Sequence, residues 1–166
     1  MEIINNTYQK ALAGVIRYLS ERDRTEAEII KRIEKYLNKT NLTSSQKQEI
    51  QEKILTTLGD MNLVDDKAFV EEYIRNVINS SKPKGKRAIE NFLCKKGVAK
   101  DIIQTVLDKK YTETIETTLA LKVAKKKLGD LALTYLTKRK LINHLQSRGF
   151  QIYIIYTVVD TITKKD

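Results

Sequence analysis

Residues 62–107 read NLVDDKAFVEEYIRNVINSSKPKGKRAIENFLCKKGVAKDIIQTVL, and this stretch decides the fold. It divides into three short helical segments with a boundary signal at each join. Asp65 and Asp66 stand where a helix cap and a first-turn acid are favourable. Phe69, Tyr73, Ile74 and Val77 then recur at helical spacing. Ser80, Ser81 and Pro83 break that pattern. A second helix is expected over residues 84–96, with Ala88, Ile89, Phe92 and Leu93 facing inward and Gly97 as its stop. Ile102, Ile103, Val106 and Leu107 mark a short third helix. An apolar helical stripe follows the two aspartates at once, so they read as helix-start residues rather than as a metal or acid–base pair.

The same order recurs on both sides. Residues 1–6 are expected to form a tail. A helix over residues 7–20 carries Tyr8, Leu12, Val15, Ile16 and Leu19. Thr25 with Glu28 makes a capping box for a second helix that buries Ile29, Ile30, Ile33, Tyr36 and Leu37. Ser45 with Gln48 is expected to open a third, with Ile50, Ile54, Leu55 and Leu58 inside and Gly59 as its end. Beyond the central stretch, a helix from Thr112 holds Ile115, Leu119, Val123 and Ala124. Another over residues 133–148 presents Leu141, Ile142, His144 and Leu145, and Gly149 stops it. The closing segment FQIYIIYTVVDTIT has the β-branched and aromatic content of a strand. Its Ile152, Ile155, Val159 and Ile162 nevertheless fit a helix, as the repeat plan requires.

The repetition holds residue by residue. KKGV at residues 95–98 matches SRGF at residues 147–150 at an offset of 52, which pairs Ile89 with Leu141 and Leu93 with Leu145. An offset of 56 pairs Ile33 with Ile89, Tyr36 with Phe92 and Leu37 with Leu93. The expected architecture is all-α: an elongated, curved tandem array of three three-helix repeats, over residues 7–59, 62–109 and 112–163.

Composition bounds the rest. Of the 166 residues, 41% are hydrophobic and 31% charged, the balance of a folded chain rather than a disordered one. No apolar run approaches the length of a membrane span, and MEIINNTYQK lacks the marks of a signal peptide. The single cysteine, Cys94, excludes an internal disulfide and fits a cytoplasmic protein. Net charge is +10, unevenly placed. Residues 82–100 carry an excess of +6 and residues 122–148 an excess of +7, leaving −3 over the remainder. Solubility does not require such segregation, so a polyanion or an acidic protein surface is the natural partner.

Four recurring stretches resemble one family. ALAGVIRYLSERDRTEAEI, LVDDKAFVEEYIRN, KGKRAIENFLCKKGVAKDII and KRKLINHLQSRGF, in this order, are similar to the bacterial regulatory protein RecX. The likeness runs from about residue 11 to residue 160. It implies tandem three-helix repeats in a cytoplasmic monomer that acts without a cofactor or catalysis of its own. It also implies that the chain binds the recombinase RecA and inhibits it by lodging in the groove of the RecA filament on DNA. The first repeat departs from the pattern, with KTNL at residues 39–42 where the glycine stop would stand.

The repeat offsets point to candidate contact residues. Lys84, Arg87, Asn91 and Lys95 lie together, away from the inner face of the second helix. Their counterparts are Lys31, Lys35 and Lys39 in the first repeat, and Arg139, Asn143 and Ser147 in the last, where Lys138 adjoins. No acidic residue falls in the stripe, which suits DNA phosphate or acidic RecA side chains. The runs at residues 125–127 and 138–140 flank Gly129 and Asp130 and add long-range attraction without sequence readout. His144 shares its slot with Tyr36 and Phe92 and reads as a buried or interface imidazole. Tyr73 reads as core, and Tyr135, Tyr153 and Tyr156 as residues able to stack on bases. Cys94 falls on the outer side of its helix. Gly85-Lys86 lacks the other residues of a phosphate loop, and no metal or nucleophile motif is present. A nonspecific DNA-binding helical protein with no dedicated protein partner is the alternative reading.

Overall fold

The computed structural model describes residues 2–129 and 134–164. The described residues form nine helices and no strand. These are α1 (Glu2–Leu19), α2 (Glu26–Leu37), α3 (Ser44–Asp60), α4 (Asp66–Asn79), α5 (Lys86–Lys95), α6 (Lys100–Lys110), α7 (Glu113–Leu128), α8 (Tyr135–Ser147) and α9 (Ile152–Thr163). Asp130 and the expected helix start at residue 133 lie outside the described residues.

The chain divides into two compact units. The first runs to Phe69 and includes the short piece Lys96–Val98; the second holds Val70–Lys95 and everything from Ala99 onward. In the first unit α1, α2 and α3 pack on one another. Their shared core is Tyr8, Ala11, Val15, Ile29, Ile33, Leu37, Ile50, Ile54 and Leu58. The buried positions recur every three to four residues on each helix, so three amphipathic faces close on one another. Each fully buried Ile or Leu here contributes about 1.5–3 kcal/mol by leaving water. The Tyr8 hydroxyl keeps a polar partner at the rim, 2.9 Å from Thr57 Oγ1.

Several boundaries differ from expectation, each for a local reason. The segment read as a tail is helical from Glu2, because Ile4 extends the apolar stripe of α1 onto the core and the Thr7 hydroxyl bonds the Ile3 carbonyl. Helix α3 is opened by Thr43 with Gln46, whose reciprocal bonds form the capping box, not by Ser45 with Gln48. Gly59 lies inside α3 rather than ending it. Asn62, at φ 54°, makes the left-handed turn, and the Leu63 amide closes back on the Leu58 carbonyl. The predicted box of Thr25 and Glu28 on α2 is present. Asp65 caps α4 through the Ala68 amide, while Asp66 Oδ1 accepts from the Glu26 amide at the first residue of α2.

In the second unit α7 packs on both α8 and α9. Helix α4 buries Val70, Ile74 and Val77, with Tyr73 at the edge rather than at the centre of the stripe. The closing segment is a helix, but it turns inward on Ile154, Ile155, Val158 and Val159, leaving Ile152 exposed. Its threonines bond back one turn, Thr157 to the Tyr153 carbonyl and Thr161 to the Thr157 carbonyl, which fits them to a helix. Glu116, 1% exposed, joins two helix starts: its Oε1 accepts from the Lys86 amide at 3.0 Å and the Gln151 amide at 3.1 Å. Burial pushes this carboxyl above the ordinary carboxylate range, against the two amide bonds that favour its charge.

Two turns explain the glycine stops. Gly97 has φ 82° and Gly149 φ 79°, a region costly for any residue with a β-carbon. Both also sit in close approach. A β-carbon at Gly97 would fall within 3.0 Å of the Ala27 methyl, and one at Gly149 within 3.0 Å of Ala88. The Gly97 turn is fixed at the start of α2 by the Thr25 hydroxyl, which donates to the Lys96 carbonyl at 2.7 Å. The Gly149 turn is fixed at the start of α5, where the Gly85 amide bonds the Arg148 carbonyl and the Arg87 amide bonds the Gly149 carbonyl.

Candidate polyanion interface

The second helices α2, α5 and α8 bury Ile33 and Leu37, Ile89 and Leu93, and Leu141 and Leu145. Their opposite faces are therefore turned to solvent by helical geometry. Lys31, Lys35, Arg87, Asn91, Lys95, Arg139 and Asn143 are exposed on those faces, and Lys39 is exposed just past the end of α2. Lys138 is half-buried. Lys84 departs from the stripe. It precedes α5, and its ammonium turns over the rings of Tyr73 and Phe92, 5.8 and 5.6 Å from their centroids, with a 3.2 Å bond to the Tyr73 hydroxyl.

The structure also gathers residues that the stripe reading missed. Tyr36, Phe92 and His144, equivalent by repeat offset, each face the preceding helix of their own repeat. Phe92 meets Tyr73, stacked at 4.3 Å and 11°. Tyr36 faces Gly14 across a cavity of about 100 Å³, also lined by Arg32, Lys35 and Lys39. His144 faces Val123 across a cavity of about 240 Å³, lined by Ser81, Lys82, Pro83, Lys122, Lys126, Lys127 and Arg148. One groove thus recurs between first and second helices. The stacked rings of Tyr73 and Phe92 fill it in the middle repeat, whereas a cavity lined by Gly14 or by Val123 stands there in the other two.

The open groove between α7 and α8 has a strong electrostatic character. Four lysines and one arginine line it, with no carboxylate among them. Arg148 is anchored by one guanidinium nitrogen, Nη1, to the Lys82 carbonyl at 3.3 Å. His144 is held below the ordinary imidazole range by burial, and by the neighbouring charges of Lys127 and Arg148. Some basic groups elsewhere are neutralised locally. Lys96 and Arg22 both bond Glu28, at 2.8 and 2.9 Å, and Lys86 pairs with Asp108 at 3.1 Å. Burial alone would raise the Glu28 carboxyl, but the Arg22 and Lys96 bonds and the Thr25 amide hold it at about 2. Cys94 is exposed. Among the described residues no group of three or more His, Cys, Asp or Glu side chains is placed to hold a metal ion. No helix among them is long and apolar enough to cross a membrane.

Comparison with known proteins agrees with this arrangement. Residues 65–107 match the family model described as the second three-helix domain of RecX, and residues 114–159 match its third three-helix domain. The chain is 30% identical over 145 residues to the regulatory protein RecX of Streptococcus agalactiae serotype V, covering 87% of this chain and 52% of that relative. It is 29% identical over 160 residues to the RecX of Lactococcus lactis subsp. cremoris, covering 92% of this chain and 54% of that relative. The chain spans about half the length of these relatives. The crystal structure of RecX from Lactobacillus salivarius superposes with a TM-score of 0.78 at 25% identity, over 96% of this chain and 98% of that one.

Proposed function

The chain belongs to the RecX family, and from that premise we propose that it is a non-catalytic regulator of the recombinase RecA. In this reading it inhibits RecA by lodging in the groove of the RecA–DNA filament, and so acts in DNA recombination and repair. The observation that carries the reading is the likeness to proteins named as regulatory protein RecX, over nearly the whole chain. The three repeats over residues 7–59, 62–109 and 112–163 are its working units. The second-helix stripe of Lys31, Lys35, Lys39, Arg87, Asn91, Lys95, Arg139 and Asn143 follows an anionic track, either DNA phosphate or acidic RecA side chains. Inhibition is steric and conformational: a bound array blocks strand access or traps a filament state with poor ATP turnover.

Charge reversal of Arg87, Lys95 and Arg139 tests the stripe. These residues are exposed, so the variant is expected to fold. Its inhibition of RecA strand exchange is expected to weaken and to lose salt dependence. Unchanged inhibition with unchanged salt dependence refutes the stripe. The second reading is nonspecific binding to bare DNA with no protein partner, favoured by the basic groove between α7 and α8. Binding to bare DNA as tight as to RecA filaments would select it.

A further inference from the structure

We propose that the open groove between α7 and α8 is a phosphodiester-binding site that seats the backbone of a nucleic-acid strand. It lies apart from the second-helix stripe, and the proposal requires no RecA.

Three features of the molecule converge on this. Lys122, Lys126 and Lys127 of α7, Lys82 of the loop between α4 and α5, and Arg148 at the end of α8 surround one cavity of about 240 Å³. Positions 122 and 126, one helical turn apart, stand on the same face of α7. Such a cluster repels itself unless an anion or the solvent compensates it. No carboxylate lines the cavity, so an anionic ligand seated there would relieve a repulsion that no side chain of the lining relieves. Arg148 donates one guanidinium N–H to the Lys82 carbonyl at 3.3 Å, which leaves further N–H donors for phosphate oxygens.

The number of charges identifies the ligand class. A single inorganic phosphate carries at most two negative charges near neutral pH and needs two or three cations. Five cations at one cavity, with Lys125 and Lys140 exposed on the same two helices, match a polymer that presents successive phosphates. His144 is the sole histidine of the chain. It faces Lys122, Lys126 and Lys127 from α7, Arg148 from its own helix end, and Lys82 from the loop. Its imidazole therefore reports whether the cavity is occupied, since a phosphate among these cations favours its protonated form.

The test uses the full chain with a fluorescein-labelled oligothymidylate and no RecA. K122Q/K126Q removes two cations that are both exposed, and thermal unfolding checks its fold. Each phosphate contact on a single strand contributes about 0.7 to the salt slope, so the variant is expected to lower the slope by about 1.4 and to bind about tenfold more weakly or worse at low salt. NMR titration of His144 is expected to show its pKa rising when the wild-type chain is saturated with the oligonucleotide. Unchanged affinity and slope in K122Q/K126Q overturn the proposal, as does a His144 titration that bound DNA leaves unmoved. Polyglutamate displacing the strand as well as unlabelled DNA does would also overturn it, by assigning the site to an acidic protein. Because RecA is absent, failure here leaves the filament reading standing, and failure of the filament reading leaves this site standing.

Discussion

Replacing Gly97 by alanine isolates the contact that fixes the turn between α5 and α6. Two costs arise. The residue sits at φ 82°, and a side chain in that left-handed region costs about 1–2 kcal/mol. The new methyl would also fall within 3.0 Å of the Ala27 β-carbon, and relieving such an overlap typically costs about 1–3 kcal/mol. Gly97→Ala is therefore expected to destabilise by about 2–5 kcal/mol, a large share of the stability of a chain this size. Valine at this position should cost at least as much, since its branched side chain is bulkier still. A double-mutant cycle separates the terms. Ala27→Gly alone should cost about 0.5–1 kcal/mol, the penalty of glycine in a helix. In the Gly97→Ala background it removes the overlap but not the φ strain. Urea unfolding of the four proteins, followed by far-ultraviolet circular dichroism, should show a favourable coupling of about 1–3 kcal/mol, against the ~0.5 kcal/mol within which distant sites add. Additive effects of the two changes would show that the Ala27 contact does not exist.

Three further outcomes follow from single residues. Glu116→Leu orphans the Lys86 and Gln151 amides and should cost about 1–3 kcal/mol for each, whereas Glu116→Gln keeps an acceptor. Because the Glu116 pKa is raised in the fold, its contribution is full below the ordinary carboxylate pKa and declines as pH rises through the shifted value; Glu116→Gln should abolish that decline, and equal pH–stability profiles would contradict the burial argument. Glu28 behaves in the opposite sense. Its pKa of about 2 makes its stabilisation present above the ordinary carboxylate pKa and lost as pH falls toward 2, and Glu28→Gln should flatten melting temperature over that window. Gly59→Ala should stabilise by about 0.5–1 kcal/mol, because Gly59 is helical with open space around it; destabilisation in a chemical melt would restore it as a left-handed cap.

The sequence made the helices legible where periodicity and chemistry agree. Thr25 with Glu28, and the stops at Gly97 and Gly149, are readable because a cap or a positive φ restricts the residue type. Asn62 was not, since a nearby glycine is the more usual left-handed residue, and Gly59 drew the helix end toward itself. The stripe of α9 was read in part, Ile155 and Val159 being buried as expected and Ile152 exposed, because nearly every residue of IYIIYTVV is apolar enough to face inward. Only packing against α7 and α8 chooses Ile154, Ile155, Val158 and Val159. The repeat offsets aligned Tyr36, Phe92 and His144, so half of the recurring groove was visible. The other half was not. Gly14, Tyr73 and Val123 share no chemistry, and only the packing of each first helix shows that they stand opposite those residues. The cavity between α7 and α8 brings Lys82 of a distant loop beside Lys122, Lys126, Lys127 and Arg148, a juxtaposition that the spacing of charges along the sequence does not reveal. Lys84 illustrates the converse: its spacing fits the stripe, but Pro83 and Gly85 delay the helix to Lys86 and let the side chain turn onto Tyr73.

The proposed action on RecA is tested most directly by single-strand-dependent ATP hydrolysis by RecA with the protein added below stoichiometry. An inhibitor seated in the filament groove lowers the hydrolysis rate out of proportion to the amount added and co-sediments with the filaments. An unchanged rate together with a protein left in the supernatant would contradict that action.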